Sequence, residues 1–469
     1  MDTSCRLEFE RLPEGAGDRQ KGALEYYLGY VAAARLAKET DGGARERVAN
    51  EAGDLFDTAA SRFATGSPEY GAAQYHLGLV SLAYGSDEFG ADPKALNVAV
   101  NAFIAALSVF DRKSDERRWA EIKISLGDAM RLFGESENDP DHLAHSTEDY
   151  RDALGVITND DVDGMKWGRT QLHLGQSLDG LGKATAKPEL FIQAIAAYKM
   201  ALQARGLSDH RDVLALIYYS LGQAYADYGL RHKDDVSSYE EAIRSYEIAS
   251  KDVTFESNRD LWFNIFNRWG SALLRLGKRQ KSDVPFIQAE SKYDLMLSKV
   301  SHFKDRKPWA IAKNGLALAK YEPGKLAGDK SKVLEAIDIY KSIQKEISYD
   351  SAPRDWLNVQ IGLGIALLEY ANMSRDMTYF DAASQAFQEI IKKNDKSRNG
   401  AITFHARHEG LMTAFYRAVA SGDYLRAKSA LDDVRVFNKQ FKNSPLPGIA
   451  TEYADRLKDA ESALSKVPR

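Results

Sequence analysis

The residues of this chain whose types and spacing could do chemistry are few and scattered. His405 and His408 stand one helical turn apart with Glu409 beside them, and His142 and His145 repeat that spacing next to Asp139 and Asp141. A zinc ion needs at least three ligands held together. Neither group offers an HExxH pattern or a Cys partner, so both read as histidines on a helix surface and no metal is expected. Asn159, Asp161, Asp163 and Gly164 match the first half of a calcium loop, but the twelfth position, where a bidentate Glu closes such a loop, is Thr170. A turn is the better reading. No GxxxxGK[ST] loop, GxSxG elbow or paired CxxC occurs, so nucleotide hydrolysis and nucleophilic catalysis have no anchor. The expectation is a chain with no catalytic residues, no cofactor and no enzymatic activity.

Aromatic and cationic residues point the same way. Trp119, Trp167, Trp262, Trp309 and Trp356 could stack on bases, yet they keep step with core positions, which favours packing between repeats. Lys278, Arg279 and Lys281, then Lys392, Lys393, Lys396 and Arg398, read as solvated loop and helix-end charges. A pI of 6.1 argues against nucleic acid as a partner. Cys5 is the single cysteine of 469 residues, so no internal disulfide can form and a reduced, cytoplasmic setting is expected. The start of the chain has no apolar run long enough for a signal peptide, and no 18 consecutive apolar residues occur anywhere, so no membrane segment is expected. Charge is divided along the chain: 26 basic and 38 acidic residues up to position 235 give −12, whereas 37 and 30 beyond it give +7.

The elements that must position these residues are repeated. A phrase of Leu-Gly, then a small residue and an apolar run, often closes on a second Gly seven positions on, as in SLGDAMRLFG, HLGQSLDGLG and RWGSALLRLG. Its first small residue falls at Gly29, Gly78, Gly127, Gly175, Gly222, Gly270, Ala317, Gly364 and Gly410, at steps of 46 to 49. A second phrase, a small residue with an aromatic or Leu four on, keeps the same period: Ala59/Phe63, Ala99/Phe103, Ser146/Tyr150, Ala194/Tyr198, Ala242/Tyr246, Ala289/Tyr293, Ala336/Tyr340, Ala383/Phe387 and Ala427/Leu431. Apolar spacings of three and four make both phrases helical. Each unit is thus an antiparallel pair, helix A with the Leu-Gly phrase and helix B with the aromatic one. A Gly inside a helix costs about 1 kcal/mol relative to Ala, and close approach of A to B is the packing reason that offsets it.

This pattern resembles the tetratricopeptide repeat family, whose helix A carries Leu-Gly and whose helix B carries Ala, an aromatic four on and Ala three after that; Ala194/Tyr198/Ala201 and Ala242/Tyr246/Ala249 reproduce the spacing. The period near 47 exceeds the family's 34 and is read as extra residues between A and B (KATAKPEL, RHKDDVSS, KRQKSDVP) and between units. Long-period units of this kind look like those of bacterial signalling and regulatory proteins. The resemblance implies an all-α, right-handed superhelical solenoid of nine helix pairs over residues 20–440, after a polar segment 1–19. A capping helix over 449–466 follows the helix-breaking SPLPG at Ser444 to Gly448.

In that family helix A lines the concave face, and partner-contacting side chains sit three and six residues before the Gly position and one, four and five after it. On this chain the preceding positions give Asn264, Asn267, Asn314 and Asn358, an amide stripe able to hold an extended peptide backbone. Arg275, five after Gly270, adds a cation suited to a carboxylate. The resemblance therefore implies a non-catalytic scaffold or adaptor that binds a protein or peptide, an acidic segment on the basic C-terminal half being the expected partner. The alternatives are a ligand- or peptide-sensing regulator whose superhelix changes pitch, and a scaffold that assembles with itself head to tail through its opposite charges.

Overall fold

The computed structural model describes residues 17–86, 91–160, 164–232, 235–394, 400–440 and 449–468. Cys5, Asp161, Asp163, Lys396, Arg398 and the SPLPG segment lie outside them. Among the described residues there are nineteen α-helices and no strand. Eighteen form successive pairs: α1 (Asp18–Leu36) with α2 (Gly42–Arg62), α3 (Pro68–Gly85) with α4 (Pro93–Leu107), α5 (Glu116–Glu137) with α6 (Pro140–Leu154), and α7 (Gly164–Thr185) with α8 (Pro188–Ala201). Then come α9 (Arg211–Arg231) with α10 (Ser237–Ala249), α11 (Arg259–Gln280) with α12 (Asp283–Lys299), α13 (Arg306–Ala327) with α14 (Lys330–Gln344), α15 (Pro353–Ser374) with α16 (Met377–Asn394), and α17 (Gly400–Ala420) with α18 (Tyr424–Gln440). The unpaired α19 (Ile449–Leu464) closes the chain. Residues 1–224 and 225–469 each form a compact unit, the division falling inside α9.

The long period is spent inside helix A. Five A helices, α5, α7, α11, α13 and α15, run 22 residues, so the extra segments read as A–B loops are mostly the last turn of A and the first of B. What separates the helices is two residues. The first adopts the left-handed region at Asn138, Ala186, Lys281, Gly328 and Arg375, which frees the chain to reverse after the last turn. The second is extended; at Asp139 and Asp329 its carboxylate accepts hydrogen bonds from the first backbone N–H groups of the next helix. Pro at the first helical position of α4, α6 and α8 suits a site whose N–H has no partner in the helix.

In six of the nine helix pairs the A–B contact is glycine against an aromatic ring. A Cβ placed on Gly78 would lie 2.5 Å from Phe103, on Gly175 2.5 Å from Tyr198, on Gly270 2.6 Å from Tyr293 and on Gly364 2.6 Å from Phe387, distances no side chain tolerates. Those rings are fully buried. Two sequence assignments need correction. In the first pair Gly29 meets Phe56, so the small–aromatic couple is Ala52/Phe56 and not Ala59/Phe63; Phe63 lies beyond the end of α2 and packs on Gly22. Gly410 has nothing within 4 Å of its would-be Cβ, because the B helix opposite carries Leu431 in place of a ring.

The tryptophans fasten connections. Trp262 packs edge-on against Phe255 and Trp356 against Tyr349, Trp309 lies tilted against His302, and Arg112 lies over Trp119. In every case the partner sits seven residues earlier, in the segment arriving from the preceding B helix. The packing expected of the tryptophans is present, directed at the link between units and leaving Trp167 and Trp262 buried.

Candidate functional site

In the second unit the A helices wall a cavity of about 740 Å³. Its sides are Leu318, Tyr321, Glu322 and Lys325 of α13, Ile365, Leu368, Glu369 and Asn372 of α15, His405, Tyr416 and Val419 of α17, and Asp455, Arg456 and Asp459 of α19, with Lys278 at the end of α11. The positions follow the repeat: Leu318, Tyr321 and Glu322 stand one, four and five after Ala317, as Ile365, Leu368 and Glu369 do after Gly364. Small residues at the A–B contact bring the helix axes close, which turns these same positions toward the open side. Pro323 inside α13 cannot donate to the carbonyl four residues back, and it stands directly after Tyr321 and Glu322.

The charges in the wall form a ladder with the repeat's step. Lys278 Nζ lies 3.0 Å from Glu322 Oε1, and Lys325 Nζ lies 3.7 Å from Glu369 Oε2. Each pair joins one A helix to the next. Tyr321 is buried, and its hydroxyl has no hydrogen-bond partner among the described residues. Burial, with Glu369 and Glu322 nearby, holds the phenol far above its ordinary value, so the hydroxyl is a donor at neutral pH.

Beside the cavity residues His405 and Arg456 lies a buried polar network, in which Glu409 Oε2 and His408 Nε2 have no hydrogen-bond partner among the described residues. Glu409 is fully buried, ion-paired with Arg456, and 3.2 Å from His408 Nδ1. Burial disfavours the carboxylate, but His408, Arg456 and His405 outweigh it and hold Glu409 down at about 2. Burial lowers His408, whose ring stacks on Tyr453 at 3.6 Å. The sequence reading of His405 and His408 as surface residues is thus wrong for His408, which α19 covers. His142 Nδ1 lies 2.8 Å from Asp139, the residue that caps its own helix. Among the described residues no three His, Cys, Asp or Glu side chains are grouped to hold a metal.

The expected site residues fall elsewhere. Asn264 and Asn358 are exposed, Asn267 and Asn314 half-buried and Arg275 exposed; none lines the cavity, and no hydrogen bond joins them among the described residues. The register carries the signal for the cavity, in the positions one, four and five after the small residue of α13 and α15; Arg275 holds such a position on α11 but does not line it. Asn159, the first ligand of the supposed calcium loop, is already spent: its Nδ2 donates to Gln203 O and its Oδ1 accepts from Arg205 N, both at 2.8 Å.

Successive helix pairs, most joined glycine to aromatic, with A helices of residues 225–469 facing one cavity, make this a tetratricopeptide-like α-solenoid. No protein-family model matches the chain and no curated protein matches it. Among solved structures it is similar to the apo form of RapI, at 11% identity over 84% of this chain and 98% of that one with a TM-score of 0.44. The apo form of the quorum sensor NprR from B. thuringiensis is 11% identical over 78% and 99%, TM-score 0.40. The tetratricopeptide domain of P58(IPK) is 13% identical over 95% and 98%, TM-score 0.22. No helix among the described residues is long and apolar enough to cross a membrane.

Proposed function

We propose that this protein is a non-catalytic binding scaffold that holds a peptide or an extended protein segment in the cavity of its second unit. The observation that carries this reading is the buried Tyr321 hydroxyl, a donor without an acceptor on the wall of a cavity of about 740 Å³. A buried polar group left unpaired costs about 1–3 kcal/mol, which an incoming acceptor such as a peptide carbonyl relieves. Half-exposed lysines and carboxylates alternating along the wall suit a polar segment with charges of both signs, one that includes acidic residues. The asparagine stripe with Arg275 is a second contact row on the same A helices, proposed to grip the segment where it leaves the cavity.

The test is peptide display on the full-length chain, followed by affinity measurement of the enriched peptides. Tyr321→Phe and Glu369→Gln are expected to weaken capture about tenfold, and Asn267→Ala with Asn314→Ala by less. Capture indifferent to Tyr321 and Glu369 but lost with the two asparagines would move the site to the stripe, and an absence of any enriched peptide would overturn the reading.

A further inference from the structure

A second pocket, of about 640 Å³, lies in the first unit between α5, the start of α7 and the connection from α8 to α9. Its construction is specific. Gly164 and Gly168 let that connection sit directly on α7: a Cβ at Gly168 would lie 2.3 Å from Ala204 Cβ, and one at Gly164 2.7 Å from Arg205 Cβ. Asn159 then clamps the same segment through Gln203 O and Arg205 N. The result is that Arg205 and His210 face Lys166, Arg169 and His173 across one space.

Within this set the negative charges are already committed. Asp128 lies 2.7 Å from His173 Nδ1 and accepts from Tyr150 Oη at 2.6 Å, and Glu121 lies 2.7 Å from Lys166 Nζ. Arg169, Arg205 and His210 have no ion pair among the described residues. Among the described residues, two exposed guanidinium groups thus face this pocket without an ion pair, although the first 235 residues carry a net charge of −12.

We propose that this pocket binds the phosphoryl group of a small organic phosphate. Two guanidiniums without an ion pair among the described residues ask for about two negative charges; a phosphomonoester carries about −1.5 to −2 at pH 7 with three acceptor oxygens, whereas a single carboxylate carries one. Planar guanidiniums match phosphate oxygens two at a time. His210 supplies a further donor, and Ile124 and Met165, both half-buried in the wall, offer apolar surface to the organic body. The site is separate from the second-unit cavity and independent of what that cavity holds.

Calorimetric titration of the full-length protein at pH 7.5 with phenyl phosphate, inorganic phosphate, phenol and glutarate tests the assignment. Phenyl phosphate is expected to bind at one site, more tightly than inorganic phosphate, with phenol silent. Arg169→Gln with Arg205→Gln, both exposed side chains, should weaken it at least tenfold while the circular dichroism spectrum stays that of the unaltered chain. Lys330→Gln, exposed on α14 of the other unit, should bind as the unaltered chain does. No saturable binding of phenyl phosphate at millimolar concentration, or equal binding by the double variant, overturns the proposal. Tighter binding of glutarate than of phenyl phosphate overturns the phosphate assignment in favour of a dicarboxylate.

Discussion

Gly175 and Gly410 hold the same place in their A helices and meet different neighbours, so the same substitution should have opposite signs. At Gly175→Ala the new methyl meets Tyr198 at 2.5 Å, and overpacking of about 1–3 kcal/mol outweighs the helix gain of about 1 kcal/mol. At Gly410→Ala the methyl enters open space, and only the gain, up to about 1 kcal/mol, remains. Urea midpoints of the two variants check this; equal shifts would refute the Gly–ring contact as the cause. Glu409 sets a second residue-scale expectation. Its carboxyl is held at about 2, below the ordinary value near 4.3, so its contribution is complete above pH ~4.3 and is lost as the pH falls through about 2, the unfolded chain binding the proton first. Glu409→Gln leaves the Arg456 guanidinium without its counter-charge and should cost about 3 kcal/mol at neutral pH, with the loss shrinking in acid. A variant as stable as the unaltered chain at pH 7 would show the network to be dispensable.

The two-residue turn that reverses α5, α7, α11, α13 and α15 into their B helices is the element that makes the long period possible. It places a left-handed residue after the last turn of A, and at Lys281 that residue has a Cβ (φ 49°). Lys281→Gly removes the steric cost and should stabilise by about 0.5–1 kcal/mol, read as a raised Tm. The connection from α8 to α9 is fastened differently, by one side chain. Asn159→Ala deletes both of its clamp bonds, and amide hydrogen exchange at 203–206 is expected to accelerate while exchange within α7 and α8 stays as it was. Unchanged exchange would mean that Gly164 and Gly168 alone seat the segment.

Over the whole molecule, neighbouring helices do nearly all the packing, as expected where each pair buries its apolar face on the next. The far end then needs a cover. Met412, Phe415, Leu431 and Val434 are fully buried in a cluster that includes Ala460 of α19. Removal of 449–469 should uncover that cluster together with one wall of the cavity, giving dye binding and light scattering absent from the full chain. A truncated chain that stays monodisperse and keeps its capture of peptide would contradict the covering role. The division of charge into −12 and +7 belongs to this scale as well: any head-to-tail association it drives should dissolve between about 50 and 500 mM salt, as the screening length drops well below about 10 Å, which sedimentation velocity would record.

By itself the sequence determined the all-α pairing, the nine units and the A–B contact, because glycine and ring recur with a fixed step and local spacing alone dictates helix and face. It even held the register of the cavity, since Tyr321, Glu322, Ile365 and Glu369 stand at set distances from Ala317 and Gly364. Tertiary structure decided what no spacing contains. Whether His408 and Glu409 meet water depends on α19 folding over them. Whether Asn159 holds an ion or a backbone depends on a segment 44 residues away in the chain. Which cations stay free is a sum over all neighbours, and so Arg169 and Arg205 look like any surface arginine until Glu121 and Asp128 are seen to be taken. Local periodicity is a property of the chain; burial and charge balance are properties of what the chain encloses.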